Sequence, residues 1–373
     1  MRQRGHRGLV TAAALVLVTC LGCSPDASEV RTTPAETESS STPEPEKDRQ
    51  PRGRVTLAFA GDMHFQLHLA DLLEQPQGAL GPISRTLRAA DVAMVNLETA
   101  ITRRGTPEAK ELELPSERFY FRTSPAALDV LDAAGVDVAT MANNHGADYG
   151  RVGLADTLRA IRSGPVPVVG IGRDRRAAFA PYRVSVRGTD LAFLSGDASM
   201  REGASNVWEA GPSNPGIAAA HSPRPRALLA AVRAADRRDD VVVVYMHWGT
   251  EGRACPTPLQ QRAATALARA GADVVVGTHT HVLLGAGWIG DTYVDYGLAN
   301  FLWYHNRQPE SGVLEVEIKD GEVVGDAWVP ARLRFLGTPA PLTGRARAEA
   351  VREWEGLRGC TGLSARPWPA AGS

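Results

Sequence analysis

The sequence predicts an α/β protein. Short valine-rich runs with the length and composition of buried strands alternate, from residue 54 onward, with longer segments whose apolar residues recur at helical spacing. Helix signals fall where the alternation needs them. Ser124-Pro125 and Ser222-Pro223 place a capping residue before a first-turn proline, and Gly135 and Gly271 close helices ahead of valine-rich runs. At 373 residues, 43% of them hydrophobic, the chain can bury one large core or two smaller ones.

In chain order, strands are expected at 55–60, 92–95, 136–141, 191–195, 241–245 and 274–276, with helices at 80–90, 124–134, 152–162, 223–238 and 258–270 between them. Residues 292–296 read as a further strand, and 313–318 with 322–324 as a hairpin turning through Lys319-Asp320-Gly321. The second half is therefore expected to be richer in antiparallel sheet. A helix over 345–359 precedes a tail of Pro, Ala and Gly, and there is no internal repeat.

The first 53 residues have a different composition. Arg2, Arg4 and Arg7 precede an apolar stretch over 9–21 that ends in Gly22-Cys23-Ser24, which reads as a lipoprotein-type export signal over 1–23, with Cys23 lipidated and Cys20 the less suitable alternative. Residues 24–53 are rich in Ser, Thr, Pro and Glu and have almost nothing to bury, so they are expected to be a disordered tether. The expected location is the outer face of the cytoplasmic membrane, held there by the lipid. Only Cys255 and Cys360 remain after the signal, and in an oxidising compartment such a pair is expected to bridge. With 41 Lys plus Arg against 42 Asp plus Glu, the chain lacks the electrostatic footprint of a nucleic-acid binder.

Five polar segments each follow an apolar run: Gly61-Asp62-Met63-His64, Asn96-Leu97-Glu98, Asn143-Asn144-His145, Met246-His247-Trp248-Gly249 and Gly277-Thr278-His279-Thr280-His281. Five of the nine histidines lie in them, so the ligands are expected to gather where the strands end. Taken singly they have ordinary readings: Asn143 and Asn144 suit a turn, Asp62 a helix cap, His64 a surface residue and Trp248 packing. Together they supply mixed nitrogen and oxygen donors without thiolate, enough for two divalent ions of the Mn, Fe or Zn type in a catalytic role. Glu98 is long enough to bridge two cations, Asn144 offers a neutral amide oxygen, and His279 and His281 share one face if extended.

The order Gly-Asp, Asn-Leu-Glu, Asn-Asn-His, His-Trp-Gly-x-Glu, Gly-x-His-x-His and Gly-x-x-Asn-Phe resembles the CapA family of capsule or poly-gamma-glutamate biosynthesis proteins, related to calcineurin-like metallophosphoesterases. The resemblance covers about 54–304. It implies a metallophosphatase-like fold of two packed mixed sheets flanked by helices over 54–305, with 306–373 a hairpin and helix packing on the same domain. It also implies that Asp62, His64, Glu98 and His281 hold one metal, and that Glu98, Asn144, His247 and His279 hold the other. His145 would serve as general acid or charge stabiliser. Glu251, Asn300 and Arg122 are candidates for orienting ligands or substrate. Many relatives carry an apolar residue in place of His64, and the bridging position occupied here by Glu98 is usually Asp. The expected function is a metal-dependent hydrolase of a cell-envelope phosphoester or amide; the competing expectation is a non-catalytic accessory factor for synthesis or export of the anionic polymer, in contact with that machinery.

Overall fold

Two mixed β-sheets face each other because their strands alternate side chains between two buried faces. The structure is a computed structural model that describes residues 53–111, 113–199, 208–238 and 240–366. The signal over 1–23 and all but the last residue of the 24–53 tether lie outside the described residues.

The first sheet runs, edge to edge, Pro339–Pro341, Glu322–Leu333, Glu310–Lys319, Val55–Met63, Val92–Leu97, Val138–Thr140 and Val168–Val169, with Asn300–Leu302 paired to the end of Val55–Met63. The second runs Ala286–Ile289, Thr292–Asp295, Val274–Thr278, Val241–Gly249, Thr189–Ser199 and Tyr182–Val186. In the first strand Leu57 and Phe59 point into the inter-sheet core while Ala58 and Ala60 face the helices. In the second sheet Val243 and Tyr245 point inward and Val242, Val244 and Met246 outward. Period-two alternation with both faces apolar is what reads in the sequence as an unbroken apolar run. The Tyr245 hydroxyl donates to the Ala60 carbonyl (2.6 Å), joining the sheets close to the site.

Helices Ala126–Ala134 and Gly150–Ser163 cover the outer face of the first sheet, and Arg226–Asp236 and Pro258–Ala268 that of the second. Gly135 ends its helix in the left-handed conformation, φ 88°, as its position after the last apolar residue suggests. Ser222-Pro223 does not cap a helix: the helix starts three residues later, with Pro225 at its N-cap. A capping box stands instead at Thr257, where Thr257 and Gln260 exchange hydrogen bonds and Pro258 opens the helix.

The antiparallel expectation for the second half holds only in part. Glu310–Lys319 and Glu322–Leu333 pair antiparallel through the expected turn. The centre of the second sheet is parallel, with Val241–Gly249 flanked by Thr189–Ser199 and Val274–Thr278, and its antiparallel pairs are at the edges. Helical crossovers bring consecutive strands back in the same direction, so buried valine runs sit at the centre. Glu310–Lys319 is bonded directly to Val55–Met63, making residues beyond 305 part of the first sheet. Cys255 and Cys360 form a disulfide with Cα atoms 5.7 Å apart. Among the described residues no helix is long and apolar enough to cross a membrane.

Candidate metal centre

Adjacent strands of both sheets end at one edge, and each end carries a polar side chain. Asp62 sits at an irregularity near the end of Val55–Met63, where the strand pairs with Asn300–Leu302. Gly61 permits this approach, since a Cβ there would collide with the Ala299 carbonyl. Glu98 follows Val92–Leu97, its N–H donating to the Met63 carbonyl (2.8 Å). Asn144 and His145 lie in the turn after Val138–Thr140, His247 within Val241–Gly249, and His279 and His281 just past Val274–Thr278. His279 (φ 85°) and His281 (φ 56°) both adopt the left-handed conformation that favours glycine.

Three overlapping sets of donor atoms each lie within 4.8 Å of one another: Glu98 with His247 and His279, Asp62 with Glu98 and His281, and Glu251 with His279 and His281. Glu98 belongs to two sets, as a carboxylate between two cations would. Asn144 joins through its Oδ1, 2.7 Å from His247 Nε2, which is itself 3.5 Å from Glu98 Oε1. These residues fit a divalent metal ion: buried carboxylates, imidazoles and an amide oxygen converge without a thiolate.

His64 lies outside the three sets. Its ring is fully buried among Phe121, Trp303 and Tyr304, its Nδ1 accepts the Gln66 N–H (3.1 Å), and among the described residues its Nε2 has no hydrogen-bond partner. Burial, reinforced by His145 and other neighbouring histidines, keeps His64 well below the usual imidazole value, so it is a neutral nitrogen donor.

Neighbours fix the donors. Burial opposes ionisation of Asp62, but the hydrogen bond and charge of His281 and the Asn96 amide outweigh it and hold the carboxyl at about 2. Asp62 accepts from Asn96 Nδ2 (2.7 Å) and from the His279 N–H (3.0 Å). Asn143 holds Asn96 in turn, donating to its Oδ1 (2.9 Å), and accepts the His145 N–H (3.1 Å). Asn300 Oδ1 is 2.8 Å from His281 Nδ1. Burial alone would lower His281, but contact with Asp62 first, and then Glu251 and Asn300, raises it. Burial and His279 press His247 well below its usual value, leaving a neutral ring suited to ligation.

His145 is set apart from the donor sets. Its ring stacks on Phe121 at 4.0 Å, its Nδ1 is 2.6 Å from Asp148 Oδ2, and its Nε2 faces Glu98 Oε1 at 3.8 Å. Asp148 Oδ1 pairs with Lys110 Nζ at 3.0 Å, and both side chains are fully buried. Burial raises Asp148 to about 7 against the opposing pull of Lys110. Burial, then Lys110, presses His145 well below its usual value.

Beside the centre opens a cavity of about 770 Å³ whose wall includes Asn144, His145, His279, Glu251 and Gln260. Glu251 is exposed there, 3.9 Å from His281 Nε2. Arg122 is not part of that wall; its guanidinium lies over the Tyr149 ring at 4.7 Å. Sequence reasoning placed Asn96 in a polar segment but gave it no role, and did not single out Lys110, Asp148 or Gln260. Asp148 stands three residues after His145, and Thr257-Pro258-Leu259-Gln260 has the spacing of a capping box, so two of these three had a local signal.

Two packed mixed sheets with a mixed-donor centre at one edge define a metallophosphoesterase-like protein. Within that class the chain belongs to the bacterial capsule synthesis protein family, PGA_cap, whose family model matches residues 56–305. It is 27% identical over 299 residues to the capsule biosynthesis protein CapA of Bacillus anthracis, covering 78% of this chain and 70% of that protein. It is 28% identical over 296 residues to the PGA biosynthesis protein CapA of Bacillus subtilis, covering 77% and 74%. A probable polyglutamine synthesis accessory protein of Mycobacterium tuberculosis is 30% identical over 226 residues, 56% of this chain and 58% of that one. The family links the chain to capsule and poly-gamma-glutamate synthesis.

Proposed function

We propose that this protein is a metal-dependent hydrolase of a phosphoester or amide in the cell envelope, acting in capsule polymer synthesis and tethered outside the cytoplasmic membrane through a lipid on Cys23. The observation that carries the catalytic reading is the membership of Glu98 in two donor sets at once, with His145 poised 3.8 Å from it. Asp62, His64, Glu98 and His281 would hold one ion, and Glu98, Asn144, His247 and His279 the other. Bound there, two Mn, Fe or Zn ions supply a nucleophile at neutral pH and stabilise charge on the leaving oxygen.

The chain's own residues supply proton control. With Nδ1–H donated to Asp148, His145 presents an unprotonated Nε2 toward the centre, where it takes a proton from the attacking water and returns it to the departing group. Asp148 fixes that tautomer and Lys110 anchors Asp148. The Phe121 ring over His145 excludes water from one face.

Metal analysis and a substrate panel on the purified protein test this reading. The wild type should carry about two ions, and His247→Ala or Asp62→Ala should lose them. His145→Ala should keep its metal yet lower hydrolysis about a hundredfold to ten-thousandfold. A metal-loaded wild type inert on phosphoesters and amides would favour the accessory role, the role in the name of the Mycobacterium tuberculosis relative. The tether is tested separately by mapping the mature N-terminus, which should be a lipidated Cys23.

A further inference from the structure

The turn after Glu322–Leu333 carries two large apolar side chains into solvent: Phe335 is 85% exposed and Leu336 60%. Single exposed apolar residues are ordinary on a protein surface, but an adjacent pair at the tip of a turn marks a surface that meets something. Leu67, 72% exposed, belongs to the neighbouring segment, whose Leu69 a Cβ on Gly337 would touch. Leu67 is also left-handed, φ 53°, a conformation that costs a branched side chain energy and here gains it no burial.

The tip stands at the edge that bears the metal centre. Glu310–Lys319 runs antiparallel to Val55–Met63, so its Glu310 end lies beside the Asp62 end, and Arg332 pairs with Glu310 where Glu322–Leu333 leaves the sheet. Hydrogen bonds hold the turn in place. The Arg334 N–H donates to the Thr338 carbonyl (3.0 Å), the Gly337 N–H to the Arg334 carbonyl (2.8 Å) and the Trp303 N–H to the Gly337 carbonyl (3.1 Å). Gly337, φ 74°, is required there, since a Cβ would collide with the Trp303 carbonyl. The Trp303 ring centroid in turn lies 4.2 Å from that of His64 and 4.5 Å from that of His281. Leu114 and Phe119, also exposed, carry apolar surface on to the cavity mouth.

Charge distinguishes the partners such a tip could meet. The segments that build it, 65–69, 303–309 and 332–338, contain Arg307, Arg332 and Arg334 and no Asp or Glu. All three arginines are exposed, and Arg332 pairs with Glu310 at 3.2 Å, which leaves Arg307 and Arg334 without a carboxylate partner among the described residues. Apolar side chains on a projecting turn flanked by arginines match an anionic bilayer, whose acyl boundary takes the former and whose headgroups take the latter. A stable protein partner needs about 1,200 Å² or more of fitted surface, which a two-residue projection does not offer.

We propose that this tip inserts into the surface of an anionic phospholipid bilayer, with Phe335 and Leu336 at the acyl boundary and Arg307 and Arg334 on the headgroups. The contact goes beyond the lipid on Cys23, which would confine the protein to a membrane without orienting it. The tip turns the edge that bears the metal centre toward the lipid.

Tryptophan reporters on the full-length protein test this. Phe335→Trp and, near the opposite hairpin of the same sheet, Val324→Trp replace exposed side chains, so neither change disturbs the core. Vesicles of phosphatidylglycerol brominated in the upper acyl chain are added, and the wild-type signal is subtracted from each. The fluorescence added by Phe335→Trp should fall by about half or more, because an interfacial side chain enters the layer about 5–10 Å deep that holds the quencher, and that added by Val324→Trp by about a tenth at most. With phosphatidylcholine vesicles at equal concentration the loss at the tip should be about threefold smaller or less, as the arginines then lack anionic headgroups. Both variants carry the same N-terminal segment, and neither metal nor turnover enters the readout, so the result is separate from the tether and from the hydrolase reading. Equal quenching at the two positions, none at the tip, or the same loss with either lipid overturns the proposal. A blue shift of Phe335→Trp in vesicle-free buffer that grows with protein concentration also overturns it, because a second copy of the chain then covers the tip.

Discussion

Replacing Asp148 with Asn should destabilise the protein by about 3–5 kcal/mol, and the geometry indicates why. Asp148 is fully buried and has three partners: the Phe121 N–H at 2.7 Å, His145 Nδ1 at 2.6 Å and Lys110 Nζ at 3.0 Å. Asparagine keeps one oxygen, which can still accept from Phe121 and His145, but turns an N–H group toward Lys110. The Lys110 ammonium, also fully buried, is then left with the Phe119 carbonyl at 2.7 Å and Glu113 at 3.9 Å. Removing one partner of a buried pair leaves the other charge uncompensated. Lys110→Met should do less harm, about 1–3 kcal/mol, because Asp148 already titrates at about 7 and can take up a proton when the ammonium is gone. The double variant should then fall short of the sum by about 2 kcal/mol or more. Urea unfolding at pH 8, where Asp148 is ionised, measures all four corners of the cycle, with unchanged m-values showing that the denatured state is common to them. A destabilisation by Asp148→Asn below about 0.5 kcal/mol, or effects that add to within that margin, would refute the charge-pair argument.

Two further predictions concern stability away from the centre. Asp295 is buried and raised to about 8, chiefly by burial, with Asp326 adding to the effect and the Gly297 N–H opposing it. The folded carboxyl therefore keeps its proton up to about pH 8, whereas the unfolded one loses it near 4; its contribution is complete below about 4 and is lost as pH rises to about 8. Asp295→Asn should accordingly match wild type near pH 4 and exceed it by on the order of 2 kcal/mol at pH 9, and parallel pH profiles of the melting temperature would exclude this. Cys360→Ser opens a disulfide spanning 105 positions and should reduce unfolding free energy by about 2–5 kcal/mol in non-reducing buffer, whereas a loss under 1 kcal/mol would mean that packing alone holds the C-terminal segment.

How far the sequence could be read depends on how local each cause is. The donors at strand ends were legible because an unbroken apolar run stops abruptly, and Asp62, Glu98, His247 and the His279–His281 pair each lie within a few residues of a strand's end. The parallel centre of the second sheet was not legible, since an apolar run has the same appearance in either direction and only the crossovers decide. Lys110 and Asp148 lie 38 positions apart in sequence, Lys110 in a charged stretch that resembles a solvated surface. Only tertiary packing makes their pairing meaningful.

His279 and His281 mark the point at which sequence rules give way to the site. Their left-handed backbone would admit glycine freely, and holding a larger residue there costs on the order of 1–3 kcal/mol at each position. Stability alone would select Gly at both. The imidazoles are retained because each serves two of the three donor sets, and because the turn that strains them lets the His279 N–H reach Asp62 at 3.0 Å. Ala299, on the neighbouring segment, is also left-handed, with φ 58°, and its carbonyl accepts the Asp62 N–H at 3.0 Å. Strain is thus concentrated on both sides of a single carboxylate, whose two oxygens are already held by Asn96 and His279. A rigid sheet on either side supports that strain, since the strands bearing Asp62 and His247 are bonded to neighbours along their length. The centre is therefore organised before any ion arrives, and Asp62 is the residue on which both sheets converge.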